Sequence, residues 1–327
     1  MRARGRIFPW RGGNRFELLL DGQAFFPRML ASIDAARQQV EVELYLIEDG
    51  RCSERLVDAL CRAAARGVAV RGLFDAYGAA GLSSLLRERL QAAGVQLRWY
   101  NPVRWRRGLR NFHRDHRKLL LVDQRLAYVG GTGSTDEFWQ PDEARSPWHE
   151  VMVEIEGPLV GDWQQLFEQL WHTRFFWRPN HQPIALNLPE CPPAGVGLGR
   201  VAYADAAQHR DILLSLLRAL KGARQRVWLA TPYFLPTWKI RRALRRAAAR
   251  GVEVRLLLAG RISLIIGLLT MVMSVFLGYL LGALSGYVGG LTDRVIMRVA
   301  DLVMTIPGLP LLIVAGAMLS ELDFSPD

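Results

Sequence analysis

Residues His116–Asp123 read HRKLLLVD, and Gly130–Gly131 close the apolar run that follows. LLLVDQRLAYVGG has the pattern of a strand, a short turn at Asp123–Arg125 and a second strand, so the motif belongs to a hairpin. Side chains of an extended chain alternate with period two, which points His116 and Lys118 to one face. An imidazole beside an ammonium suits a phosphodiester. The neutral ring nitrogen can attack phosphorus while Lys⁺ holds the non-bridging oxygens. A nucleophilic histidine also needs its other nitrogen held by an acceptor, and Glu150 in WHEVMVEIEGP is the candidate. His-x-Lys alone is a weak signal that a solvated strand face would also give. The longer spacing, His-x-Lys, four residues, Asp, six residues, Gly, is much rarer.

Outward from the motif, RAAARGVAVR at Arg62–Arg71 recurs as RAAARGVEVR at Arg246–Arg255, 184 residues on. Each copy follows an apolar strand pattern, VEVELYLIE from Val40 or RVWLATPYFLP from Arg226. Next comes a helix capped by Ser53 or Thr237 and stopped by Gly67 or Gly251, then a β-rich run. That order is a βαβ unit used twice. Between the copies, Arg178–Gly199 is rich in Pro and Gly and reads as a linker.

The chain of 327 residues carries a net charge of +11. After Arg261 there are two arginines against five acidic residues, so the tail is −3 and the preceding part +14. An anionic partner is expected there: a phosphate-bearing substrate, an acidic membrane face or nucleic acid. Three cysteines without a CxxC pair indicate neither a disulfide framework nor a zinc site. The N-terminus lacks an uninterrupted apolar core and does not read as a secretory signal.

Beyond Gly260 the composition changes. Ile262–Thr292 is 31 residues without a charge, longer than the roughly 20 needed to cross a bilayer. Gly278, Gly282, Gly286 and Gly290 recur every four residues on one helix face, as where membrane helices approach closely. A second apolar run, Leu302–Leu319, holds Pro307 and Pro310 and is a weaker span. The arginine-dense part ahead of the first span is expected to stay cytoplasmic, so the chain reads as a cell-membrane protein with its catalytic part facing the cytoplasm.

His116, Lys118, Asp123 and Gly130 resemble the signature of the phospholipase D superfamily. SIDAARQQVEVELYLIEDG, HRKLLLVDQRLAYVGG, WHEVMVEIEGP and ATPYFLP look more narrowly like the bacterial cardiolipin synthases, over about residues 14–260. The resemblance implies an α/β, phospholipase D-like bilobal fold with a complete first lobe (1–179), a linker (180–200) and a truncated second lobe (201–260). A transmembrane α-helical tail (261–327) follows. It also implies phosphatidyl transfer to phosphatidylglycerol through a phosphohistidine on His116, without metal or cofactor. Asp123 would support the hairpin and Glu150 would orient His116. Gly130 and Gly131, with Arg104, Arg106 and Arg107 of the basic, aromatic-rich stretch before the motif, would face phosphate or the lipid surface. One departure is Gly133, where many relatives carry Asn.

The repeat predicts a second His-x-Lys near residue 300, yet position 300 is Ala300. No histidine follows His209 and no lysine follows Lys239. From GRISLIIGLL onward the chain instead resembles a permease subunit of dipeptide or oligopeptide ABC importers, over about residues 261–320. The leading expectation is a cardiolipin synthase-like phosphatidyltransferase, impaired by the missing motif and fused to a permease fragment. The alternatives are a one-motif phosphodiesterase or nuclease acting as a homodimer, a transport subunit and an inactive fusion. Nucleic acid is the disfavoured partner.

Overall fold

The computed structural model describes residues 8–139, 147–173, 191–203, 210–231, 234, 236–258 and 261–305. These form two compact units, residues 1–219 and 220–327.

The first unit begins with β1 (Arg11–Leu20), α1 (Asp21–Ala35), β2 (Gln39–Leu44), α2 (Arg51–Ala65), β3 (Ala69–Asp75), α3 (Ser84–Ala92) and β4 (Gln96–Tyr100). A 3₁₀ segment, Trp105–Phe112, kinks at Gly108 and leads to β5 (Leu119–Val122) and β6 (Leu126–Gly130). Then come α4 (Asp136–Trp139), β7 (Val151–Glu156), α5 (Leu159–Trp171) and β8 (Gly197–Gly199). The eight strands form one sheet in the order β4-β3-β2-β5-β6-β7-β1-β8. β2, β3 and β4 run parallel, and β5 joins β2 antiparallel. The motif strand therefore lies mid-sheet. It is also short and wholly buried, which explains its unbroken run of leucines.

Alternation sorts each strand's side chains onto two faces. Val40, Val42 and Leu44 pack with α1, α2, α3 and α4 on one face, through Phe25, Leu56, Leu60, Leu90 and Trp139. Leu119 and Leu121 pack on the other face with Leu159, Leu166 and Phe167 of α5. The linker expected at 178–199 lies outside the described residues up to 190. Its end is β8, which pairs with β1.

α6 (Arg210–Gly222) leads to the second unit, with β9 (Arg226–Thr231), α7 (Trp238–Ala249) and β10 (Glu253–Leu258). β9 and β10 pair in parallel, as β2 and β3 do, so the sequence repeat is a structural one. Gly67 and Gly251 end the two helices with φ of 85° and 83°, a left-handed turn that favours glycine. The expected caps are corrected. α2 starts at Arg51 after Gly50, and Ser53 lies inside its first turn, where its hydroxyl donates to the Ser134 carbonyl at 2.8 Å. Asp136 takes the capping role by accepting the N–H of Cys52 at 2.7 Å. Thr237 does precede α7, without a side-chain cap bond.

α8 (Arg261–Val288) and α9 (Gly290–Thr305) complete the described chain. Leu268–Val288 within α8 is long and apolar enough to cross a membrane. The weaker second run lies mostly outside the described residues.

Candidate active site

His116 and Lys118 sit in the extended segment just before β5, one strand away from where β2 ends at Leu44. The next residue, Tyr45, stacks on the His116 ring with centroids 3.8 Å apart and planes 19° apart. Lys118 Nζ lies 5.2 Å from the same phenol centroid and donates to the His116 carbonyl at 2.7 Å. The period-two expectation thus holds: imidazole and ammonium share one side of the chain.

Arg117, between them, turns inward. Its Nε is 2.6 Å from Glu43 and 3.4 Å from Asp115, and all three side chains are largely buried. Asp75 extends the network, accepting the Asp115 N–H at 2.9 Å and the Arg114 guanidinium at 3.2 Å. Buried charge is tolerated only when paired. This layer holds the His116–Lys118 backbone from beneath.

The same layer opposes the shifts that burial imposes above it. Burial, and then the Lys118 ammonium, hold the His116 imidazole below the ordinary histidine value, while Asp75 and Asp115 pull the other way. Burial also lowers the Lys118 pKa, opposed by Asp115, Glu150 and Asp75. A depressed imidazole pKa keeps the ring neutral, as a nucleophile needs. Cys52, by contrast, is pushed up to about 12 by burial and is poorly suited to attack.

Asp123 does not face His116. Its carboxylate accepts the backbone N–H groups of Arg37, Gln38 and Gln39 at 2.9, 2.7 and 2.9 Å. Asp123 and Gln124 have φ of 49° and 55°, as a type I′ turn demands. Glu150 lies against Gly131, where any Cβ would collide with its carboxylate. It accepts the Val151 N–H at 2.8 Å, and among the described residues no hydrogen bond joins it to His116. Asp21 fixes the Glu150 backbone, donating its N–H to the Glu150 carbonyl at 2.8 Å and accepting the Glu150 N–H at 3.2 Å. His149 pairs with Asp21 at 2.6 Å, so it supports that clamp. Arg104 and Arg106 are exposed, and the Arg107 side chain lies outside the described residues. Trp139 is buried against Phe26, whereas Trp148 is exposed. Among the described residues no group of three or more His, Cys, Asp or Glu is placed to hold a metal.

Sequence reasoning missed Tyr45, Asp75 and Asp115. Glu43 was also overlooked, although two glutamates inside an apolar strand pattern signal buried ion pairs.

The family model described as cardiolipin synthase, PLD-like domain matches residues 29–171 and 216–289. The chain belongs to this family. Among curated members, cardiolipin synthase A of Pseudomonas entomophila (strain L48) is 34% identical over 258 residues, covering 79% of this chain and 53% of the relative. Cardiolipin synthase B of Salmonella typhimurium is also 34% identical, over 77% of this chain and 61% of its own. The chain therefore spans about half the length of the curated cardiolipin synthases it matches. The fold resembles that of phosphatidylserine synthase from Haemophilus influenzae Rd KW20, with a TM-score of 0.55, 13% identity, and 74% of this chain and 61% of the other covered. Polyphosphate kinase from Porphyromonas gingivalis reaches a TM-score of 0.50 at 16% identity, over 75% of this chain and 35% of the kinase.

Proposed function

We propose that this family member is a phosphatidyltransferase of the cardiolipin synthase type. The observation that carries the reading is the pairing of His116 and Lys118 on the Tyr45 ring, above a buried layer of paired charges. A His116 ring nitrogen attacks the phosphorus of a phosphatidyl donor, a P–N bond forms, and the P–O bond to the leaving alcohol breaks. The glycerol hydroxyl of phosphatidylglycerol then attacks, the new P–O bond forms as the P–N bond breaks, the hydroxyl proton passes to solvent and His116 returns to neutral imidazole. Lys118 holds the non-bridging oxygens through both steps. Asp123 acts as scaffold, and Glu150 contributes negative charge near Lys118. Gly130 and Gly131 let the backbone approach the phosphate. The exposed Arg104 and Arg106 contact the lipid surface, and Leu268–Val288 anchors the chain in the inner membrane with the basic part cytoplasmic.

Residues 1–327 contain no second His-x-Lys, so the proton for the leaving alkoxide has no histidine donor at the expected position. Loss of one general acid typically costs about 10²–10⁴-fold. With the one motif within these residues, a homodimer that brings two copies of His116 together would supply the second histidine. The division into a first lobe (1–179) and a shortened second lobe (201–260) belongs to this reading. The permease likeness of residues 261–320 rests on their sequence pattern, and the family match runs through it to residue 289. The test is conversion of labelled phosphatidylglycerol to cardiolipin by the purified chain and by His116→Ala. Equal background rates for the two would refute the proposal. The net charge of +11 favours one second reading, a nuclease, which steeply salt-dependent DNA cleavage would support.

A further inference from the structure

We infer that Tyr45 is a positioning residue that sets the plane of the His116 imidazole. The lone pair of an attacking imidazole lies in the ring plane, so the line of attack on phosphorus is fixed only if that plane is fixed. Histidine χ2 is intrinsically broad. Among the described residues neither His116 ring nitrogen has a hydrogen-bond partner, and Glu150 is engaged with the Val151 N–H. What does constrain the ring is the phenol stacked on it, centroids 3.8 Å apart and planes 19° apart. Turning the imidazole about χ2 would drive its edge into that ring.

Tyr45 is itself held. It continues from β2, a strand flanked on both edges, and the carbonyl of Leu46 accepts the Ser134 N–H at 2.9 Å. On the other side the chain at Gly78 packs so close that a Cβ there would strike the Tyr45 carbonyl. The backbone that carries the plate is therefore held, and Lys118 lies over the ring as well, 5.2 Å from the centroid. The ring has a second effect. Attack turns His116 into an N-phosphorylated imidazolium, and the negative π face of Tyr45 favours that developing charge. Both effects need an aromatic ring and neither needs the hydroxyl. This consequence for catalysis rests on His116 being the nucleophile, whereas the restraint on the ring does not.

The experiment compares the full-length chain with Tyr45→Phe and Tyr45→Leu in detergent micelles, by two readouts. In NMR of histidine-labelled protein, the His116 ring protons should be shifted upfield by the stacked ring in wild type and Tyr45→Phe, and should move back in Tyr45→Leu. In labelled phosphatidyl transfer, Tyr45→Phe should stay near the wild-type rate. Tyr45→Leu should lose on the order of 10-fold to 10²-fold in kcat with little change in KM, the scale expected for a misaligned reacting group. A Tyr45→Phe chain as slow as Tyr45→Leu, or a Tyr45→Leu chain at the wild-type rate, would overturn the positioning role. If wild type transfers nothing, the phosphatidyltransferase reading fails by itself and the NMR comparison decides the inference. His116 resonances that do not differ between wild type and Tyr45→Leu would refute it.

Discussion

The Asp123 carboxylate accepts the backbone N–H of Gln39 at 2.9 Å, so the turn that closes the motif hairpin also holds the first residue of the neighbouring strand. The aspartate of the motif thus works on the scaffold. Replacing it by alanine strands three N–H groups, those of Arg37, Gln38 and Gln39. Asp123→Ala should lose about 1–3 kcal/mol of stability in urea titration, and Asp123→Asn, which keeps one acceptor oxygen, should lose less. Undiminished stability in Asp123→Ala would contradict the scaffold role.

Burial and then the Lys118 cation both push His116 toward its neutral form. A base with a depressed pKa is already deprotonated below the usual range, so kcat/KM should rise with pH to a midpoint below about 6.5 and then level off. Removing the cation takes away one of the depressing influences. In NMR titration of Lys118→Met, the His116 midpoint should move up. A downward move would show that the lysine is not a governing neighbour.

Arg117 neutralises Glu43 at 2.6 Å and Asp115 at 3.4 Å in a region closed to water. Arg117→Met keeps most of the volume but leaves two buried carboxylates without their cation. Breaking such a pair from one side typically costs about 3–5 kcal/mol. The double variant Arg117→Met with Glu43→Leu should recover part of that loss in denaturant melts, since an unpaired buried charge is worse than none. No recovery would place the damage elsewhere.

Gly131 and Gly133 should respond differently to alanine. A Cβ at Gly131 meets the far end of the Glu150 side chain, which can swing away, whereas one at Gly133 comes within 2.6 Å of the Leu46 carbonyl oxygen. Gly131→Ala should therefore displace Glu150 and slow transfer at near-native stability. Gly133→Ala should cost about 1–3 kcal/mol, because backbone must move. Melting curves of the two variants side by side check this.

Much of the fold was legible in short-range pattern. The repeated RAAARGV segments marked both βαβ units because a helix and the glycine that ends it are local structures. The hairpin at Asp123 and the apolar helix at Leu268–Val288 were readable for the same reason. The capping of α2 was not, since Asp136 reaches its N-terminus from 84 residues away.

By itself the sequence determined the chemistry on offer: a histidine and a lysine two apart, an aspartate at a set distance, and one such motif within 327 residues. Periodicity along the chain decides which side chains share a face, and nothing more is needed for that. Only the tertiary structure decided what those side chains meet. Sheet order brings β5 beside β2, which delivers Tyr45 to His116 and Glu43 to Arg117. The Arg11–Asp162 pair spans 151 residues in the same way. Such meetings depend on strand pairing between distant segments, which arises from burial of whole faces, so no local stretch names the partner.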